Sequence, residues 1–259
     1  MKIHTHLSEV KRKLIGSLSY TKYRKKEQLF VAEGNKLLEE MLATHVCALL
    51  VGTREYVENL LSRFSSHVEE VVIVEDDFKF LSISSLQTPR PILGILRMPD
   101  YFPNLQPTKP LIFLDGIQDP GNVGSILRTC NWFGIEEVWA TNDTADFYAP
   151  RVVQATMGAL AHLRVLRSES AYEWVREVVA KNPNCSVVGA FLDGIPIKDF
   201  SIVSPYILAV GNEGNGISAT LSKFISHRIT IPPVGATGNH CESLNVAAAT
   251  AILLAGLEQ

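Results

Sequence analysis

The sequence predicts an α/β protein, a smaller first region followed by a larger second one, and three observations carry that prediction. Short continuous apolar runs alternate with helical-period segments along the whole chain, the pattern of buried strands joined by covering helices. A proline-dense stretch, with Pro99, Pro103, Pro107 and Pro110, interrupts the alternation once. Three strands beyond it run into loops rich in Gly, Asn, Asp and Ser rather than into plain turns. With 259 residues, 46% hydrophobic and 20% charged, the chain has apolar material for a full core.

The first region, residues 1–98, opens with Leu7, Val10, Leu14 and Leu18 at helical spacing. Leu29–Ala32 reads as a strand, Asn35–Ala43 as a helix after Glu33-Gly34, and Val46–Val51 as a continuous apolar strand. A helix over Arg54–Phe64, a strand over Val71–Val74, a weak helix over Asp77–Leu81 and a strand over Ile92–Leu96 complete an α/β unit. Residues 99–110 form the linker. The second region, residues 111–259, places strands at Leu111–Leu114, Glu137–Ala140, Val187–Ala190, Ile207–Val210 and Arg228–Ile231. Between them fall helices near Ser125–Phe133, Arg151–Met157, Ala171–Val179 and Ala219–Phe224, and a last one over Val246–Leu257. That alternation argues for a parallel sheet covered on both faces.

Several function classes drop out. No apolar run reaches membrane-spanning length, and the start Met1-Lys2-Ile3-His4 lacks the apolar core of a signal peptide. Cys47, Cys130, Cys185 and Cys241 form no CxxC pair, which fits reduced thiols, a cytoplasmic location and no bound metal. The net charge of −3 gives no overall basic signature, so a nucleic-acid contact needs a local patch. One candidate lies in residues 1–28, where Lys22, Arg24, Lys25 and Lys26 stand beside Tyr20 and Tyr23. Cations for phosphates interleaved with rings for stacking suit RNA, though a solvated helix face gives the same pattern.

The three polar loops concentrate the chemistry. After Leu111–Leu114 comes Asp115-Gly116-Ile117-Gln118-Asp119-Pro120-Gly121-Asn122, with Asn122 where a helix N-cap is expected and Arg128 in the helix that follows. After Ile207–Val210 comes Gly211-Asn212-Glu213-Gly214-Asn215-Gly216-Ile217-Ser218, in which glycines admit close approach to backbone amides and Glu213 is the one charge. Its spacing is not the dinucleotide fingerprint, which weighs against a nucleotide-dependent oxidoreductase. The third runs from Ile231-Pro232-Pro233 to Glu242-Ser243-Leu244-Asn245, with Ser243 or Asn245 available to cap the last helix. In an open α/β sheet these junctions lie at the carboxyl ends of the strands, where ligands bind.

Taken in order, the DPGNVGSILRT, GNEGNGIS and IPP…ESLNVAAATAILL segments resemble the three motifs of the SpoU (TrmH) branch of the SPOUT RNA methyltransferases. Tyr148 to Ala159 is similar to the family's stretch between the first two motifs, and the likeness covers about residues 111–257. The first region, through Arg24–Gly34 and Thr88–Gly94, is similar to the family's ribosomal-protein-like substrate-binding domain. The resemblance implies a deep trefoil knot in the second region, S-adenosylmethionine as methyl donor, and transfer to a ribose 2′-hydroxyl of RNA. Ribosomal RNA is preferred over transfer RNA; a non-catalytic RNA-binding protein is the other reading. It implies catalytic roles for Asn122, Arg128, Glu213, Ser243 and Asn245. It also implies cofactor contacts at Gly211, Glu213, Gly216, Ile231 and Leu244 and a homodimer through the knot domain, while RNA contacts at Lys22, Arg24, Lys25 and Lys26 rest on the basic patch. Two departures stand out: Thr156 replaces the usual Ser, and residues 236–241, including His240 and Cys241, lengthen the third loop.

Overall fold

The computed structural model describes residues 1–234 and 242–257. The chain divides into two compact units, one made of Met1–Asp100 with Asp146–His162, the other of Tyr101–Ala145 with Leu163–Gln259. The segment 146–162, which the sequence pattern assigns to the second region, therefore packs with the first. Among the described residues no helix is long and apolar enough to cross a membrane.

In the first unit the elements run β1 (Lys2–His4), α1 (Glu9–Ser17), α2 (Thr21–Glu27), β2 (Leu29–Glu33), α3 (Asn35–Leu42), β3 (Cys47–Thr53), α4 (Arg54–Phe64), β4 (Glu70–Val74) and β5 (Ile92–Arg97). The sheet order is β1-β4-β3-β5-β2. β5 is antiparallel to both β2 and β3, whereas β4 is parallel to β1 and β3, so the sheet is mixed. One of its cores gathers Leu7, Ile15 and Leu18 around Val31, Val51, Val72 and Leu93. Val10, expected on that apolar face, is 78% exposed, and Ile15 is buried in the core instead. The weak helix expected at Asp77–Leu81 is a single 3₁₀ turn over Phe80–Ser82.

The second unit carries β6 (Leu111–Asp115), α5 (Pro120–Trp132) and β7 (Glu137–Thr141). The chain then contributes α6 (Pro150–Thr156) to the first unit, where it packs on β2. It continues with β8 (Arg164–Ser168), α7 (Ala171–Lys181), β9 (Ser186–Pro196), β10 (Tyr206–Gly211), α8 (Ala219–Ser222), β11 (His227–Thr230) and α9 (Val246–Leu257). The sheet order is β11-β9-β10-β6-β7-β8, with every pairing parallel. Leu111 and Phe113 of β6 pack with Ala171, Val175 and Val178 of α7 on one face. Ile112 and Leu114, equally buried, point to the other side by the two-residue pleat, the side on which α9 lies against β10 and α5 against α9.

This order locates the site. From β6 the chain winds outward through β7 to β8, and from β10 it continues the opposite way to β11. Neighbouring parallel strands whose connections leave in opposite directions open a crevice at their carboxyl ends. Asp115 and Gly211, the last residues of β6 and β10, are register partners at that crevice.

Candidate active site

Both crevice loops are shaped by glycines with specific tasks. Gly116 has φ +73°, a left-handed turn that a side chain would strain, and its N–H donates to Thr141 Oγ1 at 3.0 Å. A Cβ on Gly211 would fall 2.2 Å from the carbonyl carbon of Gly216, so only glycine lets the 211–216 loop close on itself. That closure is made by Asn212 N–H donating to Gly216 C=O at 3.0 Å and Gly216 N–H donating to Asn212 C=O at 2.8 Å.

Asp119, not Asn122, caps α5, accepting from the Asn122 N–H at 2.7 Å, with Pro120 preset for the first turn. The Asn122 side chain is thereby released from capping. It donates from Nδ2 to Glu213 Oε1 at 2.7 Å and accepts at Oδ1 from Asn245 Nδ2 at 2.9 Å. Asn245 in turn caps α9, accepting at Oδ1 from the N–H groups of Ala247 at 2.9 Å and Ala248 at 3.3 Å. The orientation of each amide follows from the next. The α9 amides fix the Asn245 oxygen, so its NH₂ faces Asn122, whose own NH₂ is left for the Glu213 carboxylate. Donors therefore run one way, from a helix N-terminus through two amides to one carboxylate.

Arg128 lies two three-residue steps beyond Asn122 on α5, about 9 Å along the axis. It is exposed, and no hydrogen bond or ion pair to it occurs among the described residues. An exposed cation can bind an anion or stabilise charge developing on an oxygen. Ser243 and Leu244 directly precede Asn245, and Leu244 leaves 47% of its surface exposed. Ile231 follows the end of β11 and is half-buried. His240 and Cys241 lie outside the described residues.

The structure brings Asn122, Glu213 and Asn245 together and leaves Arg128 on the same helix as Asn122. It also places two polar residues at the crevice that the motif reading passed over, Asn212 and Tyr172. Asn212 lies inside the second loop, where a turn role suffices for Asn. Tyr172 gave no signal, because only the fold carries α7 to β6. Burial pushes its hydroxyl up to about 12, and the hydrogen bond it gives the Asp115 carboxylate acts in the same direction.

The basic stretch is split. Lys22, Lys25 and Lys26 on α2 are exposed, as are Tyr20 at 67% and Tyr23 at 40%. Arg24 is buried, and this corrects its placement among RNA-contacting cations. Its guanidinium donates to Leu18 C=O at 2.7 Å, Thr21 Oγ1 at 2.8 Å and Asp146 Oδ2 at 2.7 Å, all inside the first unit. Thr156, also buried, returns its hydroxyl to the Val153 carbonyl within α6.

Comparison with known proteins gives a consistent answer. Residues 109–255 match the SpoU rRNA Methylase family, and residues 9–94 match the MRM3-like substrate binding domain. The sequence is 30% identical over 236 residues, 90% of either chain, to the 23S rRNA (guanosine(2553)-2′-O)-methyltransferase RlmP of Bacillus subtilis. A structure from Porphyromonas gingivalis assigned to the TrmH family of RNA methyltransferases superposes with a TM-score of 0.86 and 41% identity, covering 97% of this chain and 98% of that one. The AdoMet-bound rRNA methyltransferase of Sinorhizobium meliloti superposes with a TM-score of 0.81 and 27% identity, over 98% and 96% of the chains.

Proposed function

The chain belongs to the SpoU rRNA methylase family, and from that premise we propose that it methylates a ribose 2′-hydroxyl of ribosomal RNA with S-adenosylmethionine as donor. The observation that carries the reading at the level of chemistry is the Asn245–Asn122–Glu213 chain, a one-directional polar network at the carboxyl edge of a parallel sheet. A protein that only bound RNA would not need three side chains from separate loops so joined.

The donor set suits the methyl donor. The glycine-interrupted 211–216 loop leaves backbone exposed at Gly214 and Gly216, and the half-exposed Leu244 offers an apolar surface beside it. Gly211, Glu213, Gly216, Ile231 and Leu244 would hold S-adenosylmethionine, which supplies a methyl group activated by a sulfonium centre. The rest of the work falls to the protein. A neutral ribose hydroxyl is a weak nucleophile, so charge building on its oxygen must be offset as the methyl arrives. Arg128 would supply a cation there without giving up a proton, since a guanidinium stays charged in proteins. Asn122 and Asn245 hold the Glu213 carboxylate in place, and Ser243 contributes a hydroxyl at the mouth of the third loop.

Lys22, Lys25 and Lys26, with Tyr20 and Tyr23, present RNA-binding chemistry on the first unit. A homodimer through the second unit accords with Trp132 on α5 at 86% exposure and Ile252 on α9 at 42%. Val246, Leu253 and Leu257 of α9 are buried within the chain and so do not contribute to that face. The trefoil knot would be formed by the 211–218 loop and the chain from Ile231 onward, and the protein would act in the cytoplasm. The test is transfer of label from methyl-tritiated S-adenosylmethionine to unmodified ribosomal and transfer RNA, followed by nucleoside analysis. Label in one 2′-O-methylnucleoside from ribosomal RNA is expected; label on a base, or in transfer RNA alone, overturns the assignment.

A further inference from the structure

Two side chains outside the residues assigned above anchor the 211–218 loop to the end of β6. At its start, Asn212 donates from Nδ2 to the Gly116 carbonyl at 2.8 Å. The same side chain accepts at Oδ1 from the N–H groups of Gly214 at 2.9 Å and Asn215 at 3.1 Å. At its end, the buried Asp115 carboxylate accepts from the Ser218 N–H at 2.7 Å through Oδ2 and from the Tyr172 hydroxyl at 2.7 Å through Oδ1. The Tyr172 hydroxyl also lies 3.2 Å from Ser218 Oγ. The stretch between, with Glu213, is thus suspended from two fixed points on the neighbouring strand.

The two halves of the Asn212 contact do different things. Its oxygen rounds the loop, which the Asn212–Gly216 backbone pair closes in any case. Its NH₂ alone reaches across to the first loop. The carboxamide does both, accepting two N–H groups at its oxygen and donating to a carbonyl from its nitrogen, whereas a carboxylate of the same size has no proton to give. We propose that Asn212 is a positioning residue for methyl transfer. By tying the second loop to Gly116, it sets the cofactor-facing backbone and keeps Glu213 within reach of Asn122. This rests on the reading that the 211–216 loop holds S-adenosylmethionine.

Asn212→Asp and Asn212→Ala separate the possibilities. The aspartate keeps the acceptor for Gly214 and Asn215 but loses the donor to Gly116; the alanine loses both. Calorimetric titration with S-adenosylmethionine and steady-state kinetics are to be run on the full chain. Both variants are expected to raise Kd and KM for S-adenosylmethionine by about tenfold, the effect of one well-placed hydrogen bond. KM for RNA should stay within about twofold of wild type, and cooperative thermal unfolding should persist. Wild-type affinity in Asn212→Asp overturns the proposal, since only the local rounding would then matter. Loss of cooperative unfolding in both variants overturns it too, assigning Asn212 to folding. These outcomes leave the proposed function standing, because the wild-type protein would still bind the donor and transfer its methyl group. Absence of binding by the wild type removes that function and this inference together.

Discussion

Two stretches of this chain are equally crowded with polar side chains, and the fold uses them in opposite ways. In the second unit, Asn122 reaches Glu213 across 91 residues of sequence and Asn245 across 123, and the three form one network at the end of the sheet. In the first unit, the four cations of residues 22–26 are divided: Lys22, Lys25 and Lys26 face solvent, while Arg24 turns inward to Asp146, 122 residues away. Adjacency in sequence thus overstates the cationic surface and understates the candidate site. What decides is whether an element offers each side chain a partner. On α2, Leu18, Thr21 and Asp146 give Arg24 a complete shell, and the lysines beside it have none comparable.

The largest effects should come from Arg24. Removing one member of a buried pair strands the other, so Arg24→Ala should cost about 3–5 kcal/mol in urea unfolding. Lys25→Ala, one residue away, should stay within about 0.5 kcal/mol. Equal losses for the two would erase the distinction drawn within α2. Next comes Arg128→Ala, expected to lower kcat by about 10²–10³ with unfolding unchanged, the scale seen when one group stabilising a developing oxyanion is lost. Arg128→Lys sharpens this, since turnover near wild type would mean that charge suffices without the guanidinium's planar fork.

Smaller still is neutralising Lys22, Lys25 and Lys26 together to Gln. Three phosphate contacts to single-stranded RNA would reduce the slope of log affinity against log salt by about 2. An unchanged slope would return the exposed lysines to a solvated helix face. The smallest effect concerns His45, whose burial lowers its pKa below the ordinary value of 6.5, a nearby His162 adding to the shift against a hydrogen bond that His45 gives the Met41 carbonyl. As pH falls below 6.5 the unfolded chain takes up that proton before the folded one does. The contribution is therefore fully present above 6.5 and is lost as pH falls toward the folded value. Urea midpoints at pH 7.5 and 5.5 should fall further for the wild type than for His45→Gln; parallel falls would remove His45 from the account.

Much of the fold was legible because its strands are short apolar runs and its helices carry regular apolar faces. Arg54–Phe64 and Val246–Leu257 appear with the bounds the pattern gives. The elements without that signal went unread. β1 is a three-residue edge strand with exposed side chains, α2 is almost wholly polar, and β8 buries only two of its five residues. At the site, residue types and motif order pointed to Asn122, Glu213 and Asn245, but not to which of them caps a helix. Asp119 took that role because Pro120 fits the first turn, leaving Asn122 for the network. Asn212 and Tyr172 could not be ranked from sequence, because their importance lies in contacts that only the β6–β10 pairing creates.

The proposed role of Arg128 is to offset charge where a ribose oxygen takes up a methyl group. It is tested most directly by mapping alkali-resistant linkages in ribosomal RNA from cells lacking the gene, complemented with wild type or with Arg128→Ala. One 2′-O-methylated nucleotide is expected to be restored by the wild type and not by the variant. Restoration by Arg128→Ala, or an identical map with and without the gene, would contradict it.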